Sequence, residues 1–337
     1  MSINTVLVTG GAGYVGSVLV PRLLTAGFEV KVLDLYLYGS AVFDEIAHHP
    51  LLEQTEGDIR DQSLLKRVLK DCDAVIHLAC ISNDPSFELD PKLGREINFE
   101  AFEPLVKISR EQGVQRFIYA SSSSVYGVSD RSDVEEDDLL RPLTDYSRYK
   151  ALCEEILLGY QSSDFIPVII RPATICGYSP RQRFDLTVNI LTNHAVNNGR
   201  ITVFGGSQKR PNLHIDDMVD LYVQLLGESE GKVAGKAFNA GYQNSTVSDL
   251  AKIVRTVVKE SVKNRQSIEI LTTSSDDLRS YHISSRKIRR ELGFIPKRTI
   301  EDAVRDLCRS FEDKKFIESM SNPYYFNIKR MQEVNLR

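Results

Sequence analysis

Tyr146 and Lys150 are the residues whose types and spacing point most directly to proton chemistry. They stand four apart in a stretch, from about Asp145 to Tyr160, that reads as a helix, so their side chains share a face. A phenol with an ordinary pKa of about 10 is a poor base near neutral pH. A neighbouring ammonium favours the phenolate and draws that value down, which makes proton exchange with a sugar hydroxyl or a ketone feasible. Spacing alone carries little, since Tyr325 and Lys329 repeat it in the tail with no strand before them; that second pair reads as a chance match. Context separates the two. The first pair follows Ser121-Ser122-Ser123-Ser124-Val125-Tyr126-Gly127, a polar run that leaves a strand-like segment. A serine there could donate to the same substrate oxygen, although such a run also suits a plain strand exit.

The second constellation is Thr9-Gly10-Gly11-Ala12-Gly13-Tyr14-Val15-Gly16, between the apolar run Ile3–Val8 and a helical pattern of Val15, Val18, Leu19, Leu23 and Leu24. A glycine turn between strand and helix gathers backbone N–H groups and the positive end of the helix dipole at one point. That point suits a pyrophosphate. Asp34, closing the next strand-like segment, is placed to accept from the adenosine ribose hydroxyls and would repel a 2′-phosphate, so NAD is expected rather than NADP. Asp58, in Gly57-Asp58-Ile59, could bond the adenine amine or cap the following helix.

The elements that must position these groups alternate as β-α-β units. Strands are expected at Glu29–Leu33, Leu51–Glu56, Ala74–Ala79, Arg116–Ala120 and Val168–Ile170, with helices at about 61–69, 91–112 and 145–160. The predicted fold is α/β, a doubly wound, mostly parallel Rossmann sheet with a smaller mixed α/β substrate domain. The cofactor domain spans 1–177, rejoined by about 214–240, because the rhythm breaks after Gly177 and returns there. The substrate domain spans 178–320, and 321–337 reads as a polar, loosely ordered tail.

Composition narrows the classes. The 337 residues are 42% hydrophobic and 26% charged with a net charge of −4, which gives no reason to expect a nucleic-acid surface. No apolar run is long enough to span a membrane, and the N-terminus enters the first strand with no secretory pattern. The five cysteines are scattered without a C-x-x-C pair, as for reduced thiols in a cytoplasm. The histidines show no metal-ligand spacing, so no metal is expected.

Together, Thr9-Gly10-x-x-Gly13-x-x-Gly16, Gly57-Asp58-Ile59-Arg60-Asp61, His77-Leu78-Ala79, the serine run and Tyr146-x-x-x-Lys150 resemble the extended short-chain dehydrogenase/reductases. More narrowly, the chain resembles their sugar-nucleotide branch, the NAD-dependent epimerase/dehydratase family, over about residues 3–310. The resemblance implies that Gly10, Gly13, Tyr14, Val15 and Gly16 wrap the NAD pyrophosphate. It places Asp34 at the ribose, Asp58 and Ile59 at adenine, and Leu78, Ala79 and Pro172 along the cofactor. Ser122, Tyr146 and Lys150 would be catalytic, with Lys150 also holding the nicotinamide ribose. Ser123, Ser124, Thr174, Asn189, Arg210 and Arg279 would meet a nucleotide-sugar substrate, Asn189 and the two arginines at its nucleotide and phosphates. A homodimer through the helices at 91–112 and 146–160 is implied too.

One departure bears on the reaction. Dehydratases of the branch carry an Asp-Glu pair directly after the catalytic Ser/Thr, where this chain has Ser123 and Ser124. The decarboxylating branch places a glutamate where Ser124 stands. The expected reaction is therefore C4 epimerisation through a transient ketone, with C4 dehydrogenation or ketoreduction as the alternative. A non-catalytic NAD-binding subunit is the rival of another class, against which stands the intact Ser122, Tyr146 and Lys150.

Overall fold

The computed structural model describes residues 3–129, 131, 133–263, 265, 267–274 and 282–336. Strands β1 (Thr5–Thr9), β2 (Glu29–Asp34), β3 (Leu52–Glu56), β4 (Ala74–His77), β5 (Arg116–Ala120) and β6 (Ile166–Pro172) follow one another in the first half. Then come β7 (Thr174–Cys176), β8 (Arg200–Phe204), β9 (Lys209–His214), β10 (Lys236–Ala240), β11 (Gln243–Thr246) and β12 (Glu269–Thr273). The main sheet has seven strands in the order β10-β6-β5-β4-β1-β2-β3, and each neighbouring pair in it is parallel. The sheet is thus the doubly wound Rossmann type, and β1 meets β4 where the strand order reverses.

Alternation along β1 shows why both faces are covered. Val6 and Val8 join one apolar layer with Ile76 and Val168, while Leu7 joins the other with Val75 and Phe117. All three β1 residues are fully buried, as a central parallel strand requires. A third layer, formed by Leu191, Val254, Ala303 and Val304, holds together the helices Thr187–Asn198, Val247–Ser261 and Ile300–Glu312. Two small sheets, β11-β9-β7 and β12-β8, complete the second half. Among the described residues, no helix is long and apolar enough to cross a membrane.

Two segments differ from expectation. The helix expected over 91–112 is Pro91–Arg95 and Phe102–Glu111 joined by a π-helical turn at Glu96–Glu100. The wide turn carries Asn98, whose amide accepts from the Ile81 N–H at 2.8 Å and donates to the Ile81 carbonyl at 2.9 Å. Its own carbonyl accepts from the Cys153 thiol at 3.3 Å. The second difference is the tail. Asn327–Val334 is a helix with Asn327 and Met331 buried, Met331 in the same apolar layer as Leu7 and Val75, so this segment docks against the main sheet's core instead of trailing away.

Candidate active site

The glycine turn follows β1 directly and is closed by its own backbone. Gly10 has φ +73°, and a Cβ there would lie 2.6 Å from the Ala79 backbone nitrogen. A Cβ on Gly16 would lie 2.4 Å from the Gly11 carbonyl oxygen, so neither position admits a side chain. Asp34, ending β2, braces the turn: its carboxylate accepts from the Ala12 N–H at 2.9 Å and the Tyr36 N–H at 2.8 Å. Burial pushes its pKa up, and those two backbone bonds oppose the shift.

A cleft of about 490 Å³ runs from this turn across the carboxyl ends of the central strands. Gly10, Gly13, Tyr14, Val15, Gly16, Asp34, Asp58, Ile59, Leu78, Ala79 and Pro172 all line it. So do Ser122, Ser123, Ser124, Tyr146, Lys150, Thr174 and Arg210. The fold therefore gathers at one cleft residues that are far apart in sequence.

Local structure sets the reactive groups. Thr144 and Ser147 form a reciprocal capping box that starts the helix Asp145–Gly159, which fixes Tyr146 in its first turn. One turn on, the Lys150 Nζ donates to the Ala120 carbonyl at the end of β5 at 2.7 Å. That nitrogen lies 5.9 Å from the Tyr146 ring centroid and 5.0 Å from that of Tyr119. The Ser122 Oγ accepts from the Ser124 N–H at 3.1 Å and shares a 2.8 Å hydrogen bond with the Ser124 hydroxyl. Beneath the run, Ser121 donates to Glu154, which Arg171 grips with Nε at 3.0 Å and Nη2 at 2.6 Å. Arg171 also donates to the Tyr126 hydroxyl at 2.7 Å, and that hydroxyl donates to Asn239 at 2.8 Å. This buried network locks the strand exit that presents Ser122.

Several expected roles change. Asp58 does not cap a helix: Asp61 does, accepting from the Ser63 and Leu64 N–H groups, while Asp58 is held by Arg60 at 2.7 Å. Asn189 is fully buried with its amide spent internally, donating to the Tyr14 hydroxyl and Arg183 carbonyl and accepting from the Gly177 N–H. It positions the turn and Tyr14, and its amide is unavailable to a substrate phosphate. Arg210 lines the cleft and donates to the Lys209 carbonyl at 3.0 Å. Arg279 lies outside the described residues. The tail pair Tyr325 and Lys329 does not share the site: Tyr325 accepts from the Ile317 N–H and Lys329 lies over Phe326.

Sequence reasoning missed Tyr38, Arg181, Arg183, Asp185 and Asn327 on the cleft wall. Arg181, Arg183 and Asp185 stand in the run 179–189, whose resemblance to the family's phosphate-contacting segment singled out Asn189 alone; Asn327 offered no signal.

These residues fit a nicotinamide dinucleotide. Gly10 and Gly16 of the turn line the cleft at positions that admit no side chain, so only backbone faces a ligand there. The Arg181 Nε and Nη1 and the Arg183 Nη2 are buried on the wall without hydrogen-bond partners. The NAD dependent epimerase/dehydratase family matches residues 6–241. A UDP-glucose 4-epimerase of Lactobacillus helveticus is 28% identical over 321 residues, covering 89% of this chain and 94% of that one. A dTDP-glucose 4,6-dehydratase of Streptomyces griseus is 30% identical over 308 residues, covering 88% and 91%. The crystal structure of DesIV, a dTDP-glucose 4,6-dehydratase from Streptomyces venezuelae with NAD and TYD bound, superposes with a TM-score of 0.82. It is 26% identical, covering 94% of this chain and 100% of that one. With the glycine turn, Asp34 and the Tyr146–Lys150 pair on one cleft, this chain belongs to the NAD dependent epimerase/dehydratase family and is an NAD-dependent enzyme.

Proposed function

We propose that the enzyme is a nucleotide-sugar 4-epimerase working by hydride transfer at C4. The observation that carries the reading is the state of the acids on the cleft. Ser123 and Ser124 follow Ser122, and among the described residues the carboxylates on the wall are Asp34, Asp58, Asp84 and Asp185. Asp34 holds the glycine turn and Asp58 holds Arg60. Asp84 accepts from the Thr144 hydroxyl at 2.5 Å, and Asp185 from the Arg183 Nε at 2.8 Å. Water elimination calls for a further acid and base beside the sugar, whereas epimerisation needs only what Tyr146, Lys150 and Ser122 supply.

When bound, NAD takes up and returns a hydride. Tyr146 takes the C4 hydroxyl proton and gives it back, the Lys150 ammonium favours its phenolate, and Ser122 donates to the C4 oxygen. The rotated 4-keto sugar then presents its other face. Thr174, Ser123, Ser124 and Arg210 hold the nucleotide sugar, while Arg279 is assigned to it on resemblance alone. The likeness to the Lactobacillus helveticus epimerase supports this reading; the likeness to the two dehydratases leaves the reaction to the serine run. We also assign a cytoplasmic homodimer, joined through the helical segments at about 91–112 and 146–160. The halves are 1–177 with 214–240 for the cofactor and 178–320 for the substrate.

Product analysis with UDP, GDP, dTDP and CDP sugars tests the reaction. The expected product is the C4 epimer with no net reduction of cofactor. A released 4-keto sugar with stoichiometric NADH would overturn the epimerase in favour of a dehydrogenase, and a 4-keto-6-deoxy sugar in favour of a dehydratase.

A further inference from the structure

The C-terminal segment takes no part in that chemistry, yet it is fastened to the cofactor half with unusual thoroughness. The buried Asn327 amide oxygen accepts from the Tyr38 hydroxyl at 3.0 Å and from the Arg181 Nη2 at 2.5 Å. Its nitrogen donates to the Ser82 hydroxyl at 2.8 Å, and its backbone N–H donates to Asp185 at 3.0 Å. The Ser82 hydroxyl also accepts from the Arg183 Nη1 at 3.0 Å. One tail residue thus ties together the loops after β2 and β4 and the segment that carries both arginines.

The arginines themselves are incomplete. Arg183 has Asp185 as its counter-ion. Arg181 is 4% exposed, lies face-on over Tyr38 at 3.4 Å, and has no carboxylate within ion-pair distance among the described residues. Three guanidinium nitrogens of the pair are buried without partners. A buried cation with open donors is costly until an anion completes it. Burial draws the Arg181 pKa down to about 10, which reports the same deficit. Two planar forks side by side match a diphosphate.

Two nucleoside diphosphates could supply it, that of the cofactor or that of the substrate. Position favours the cofactor. The Arg181 backbone N–H donates to the Ser17 hydroxyl, one residue beyond the glycine turn, and Tyr38 follows the strand that ends at Asp34. We propose that Arg181 and Arg183 form a second clamp on the dinucleotide diphosphate, in addition to the glycine turn. Asn327 makes the C-terminal helix the strap that keeps that clamp in place. The inference rests on the NAD seat and not on which reaction the enzyme performs. Its consequence is that the chain end sets how slowly the cofactor leaves.

The test uses the full-length enzyme loaded with NADH and chased with excess NAD, following loss of bound NADH fluorescence. Asn327→Ala and Arg181→Gln are expected to speed release at least tenfold, with Arg181→Lys, which keeps charge but not the fork, in between. Calorimetry with UDP, GDP, dTDP and CDP should show affinity for the nucleoside diphosphate the wild type binds best changed by less than about twofold. Should Arg181→Gln fail to fold, Asn327→Ser provides the same readout. Release unchanged in variants that melt like wild type would overturn the clamp. Weakened nucleoside diphosphate binding with unchanged NADH release would also overturn it, by giving the arginines to the substrate. A wild type that bound no NADH would remove the dinucleotide seat itself.

Discussion

The Lys150 ammonium nitrogen lies 5.9 Å from the Tyr146 ring centroid while donating a 2.7 Å hydrogen bond to the Ala120 carbonyl. The strand end therefore aims the cation, and the helix turn sets its distance from the phenol. Tyr146 is partly buried against the core, and replacing it with Phe removes the hydroxyl while keeping the ring that packs there. Tyr146→Phe is expected to lower kcat by about 10²–10⁴ with little change in melting temperature. Lys150→Met should also shift the rising, acidic limb of the pH dependence of kcat to higher pH, because the phenol that must act as base loses its nearby cation. Turnover that survived Tyr146→Phe would sink the site assignment.

Glu154 and Arg171 form an ion pair whose side chains are only 4% and 7% exposed. Removing one partner of such a pair leaves an uncompensated buried charge, at a cost of about 3–5 kcal/mol. Glu154→Gln should lower the unfolding free energy by that order in a urea titration. Because Ser121 also donates to Glu154, the serine run should loosen and kcat should fall as well. A loss below about 1 kcal/mol would mean that the network holds less than its geometry implies.

Gly16 admits no side chain, because a Cβ would meet the Gly11 and Gly10 carbonyl oxygens at 2.4 and 2.5 Å. The backbone must shift for Gly16→Ala, and overpacking of this kind costs about 1–3 kcal/mol. Since the displaced atoms form the cradle, NAD affinity measured by calorimetry should fall about tenfold to hundredfold. Gly159→Ala is the control, for nothing lies within 4 Å of a Cβ there. Equal effects of the two changes would show that the turn tolerates crowding.

What could be read from the chain beforehand was local. The glycine turn, Asp34 and the Tyr146–Lys150 pair announce themselves because strand, turn and helix signals adjoin them in sequence. The doubly wound parallel sheet followed from the β-α-β rhythm for the same reason. Asn327 was illegible because its meaning lies in Tyr38, 289 residues away, and in Ser82, 245 residues away. The polar composition of 321–337 resembles a frayed end, and only long-range hydrogen bonds distinguish a strap from one. Asn189 misled in the opposite sense: its place in a run was legible, but whether an amide faces a ligand or its own fold depends on Tyr14 and Gly177. The π-helical turn at Asn98 escaped because helical periodicity does not show a single widened turn.

His77 offers a pH test of the fold itself. It ends β4, is 3% exposed, meets the Thr9 hydroxyl at 2.7 Å and stacks on Tyr119. Burial, with the Lys150 charge nearby, draws its pKa down to about 3. The folded protein thus keeps the ring neutral where the unfolded chain, with a value near 6.5, binds a proton. Between about pH 6.5 and 3 the unfolded state holds more protons, so stability rises with pH and falls on acidification. This group alone contributes a slope approaching about 1.4 kcal/mol per pH unit in that window and none above it. His77→Gln removes the titration, so its urea-unfolding free energy should vary less steeply from pH 6.5 to 4.5 than that of the wild type, whatever its absolute level. Parallel slopes for the two proteins would show that His77 is not held neutral by the fold.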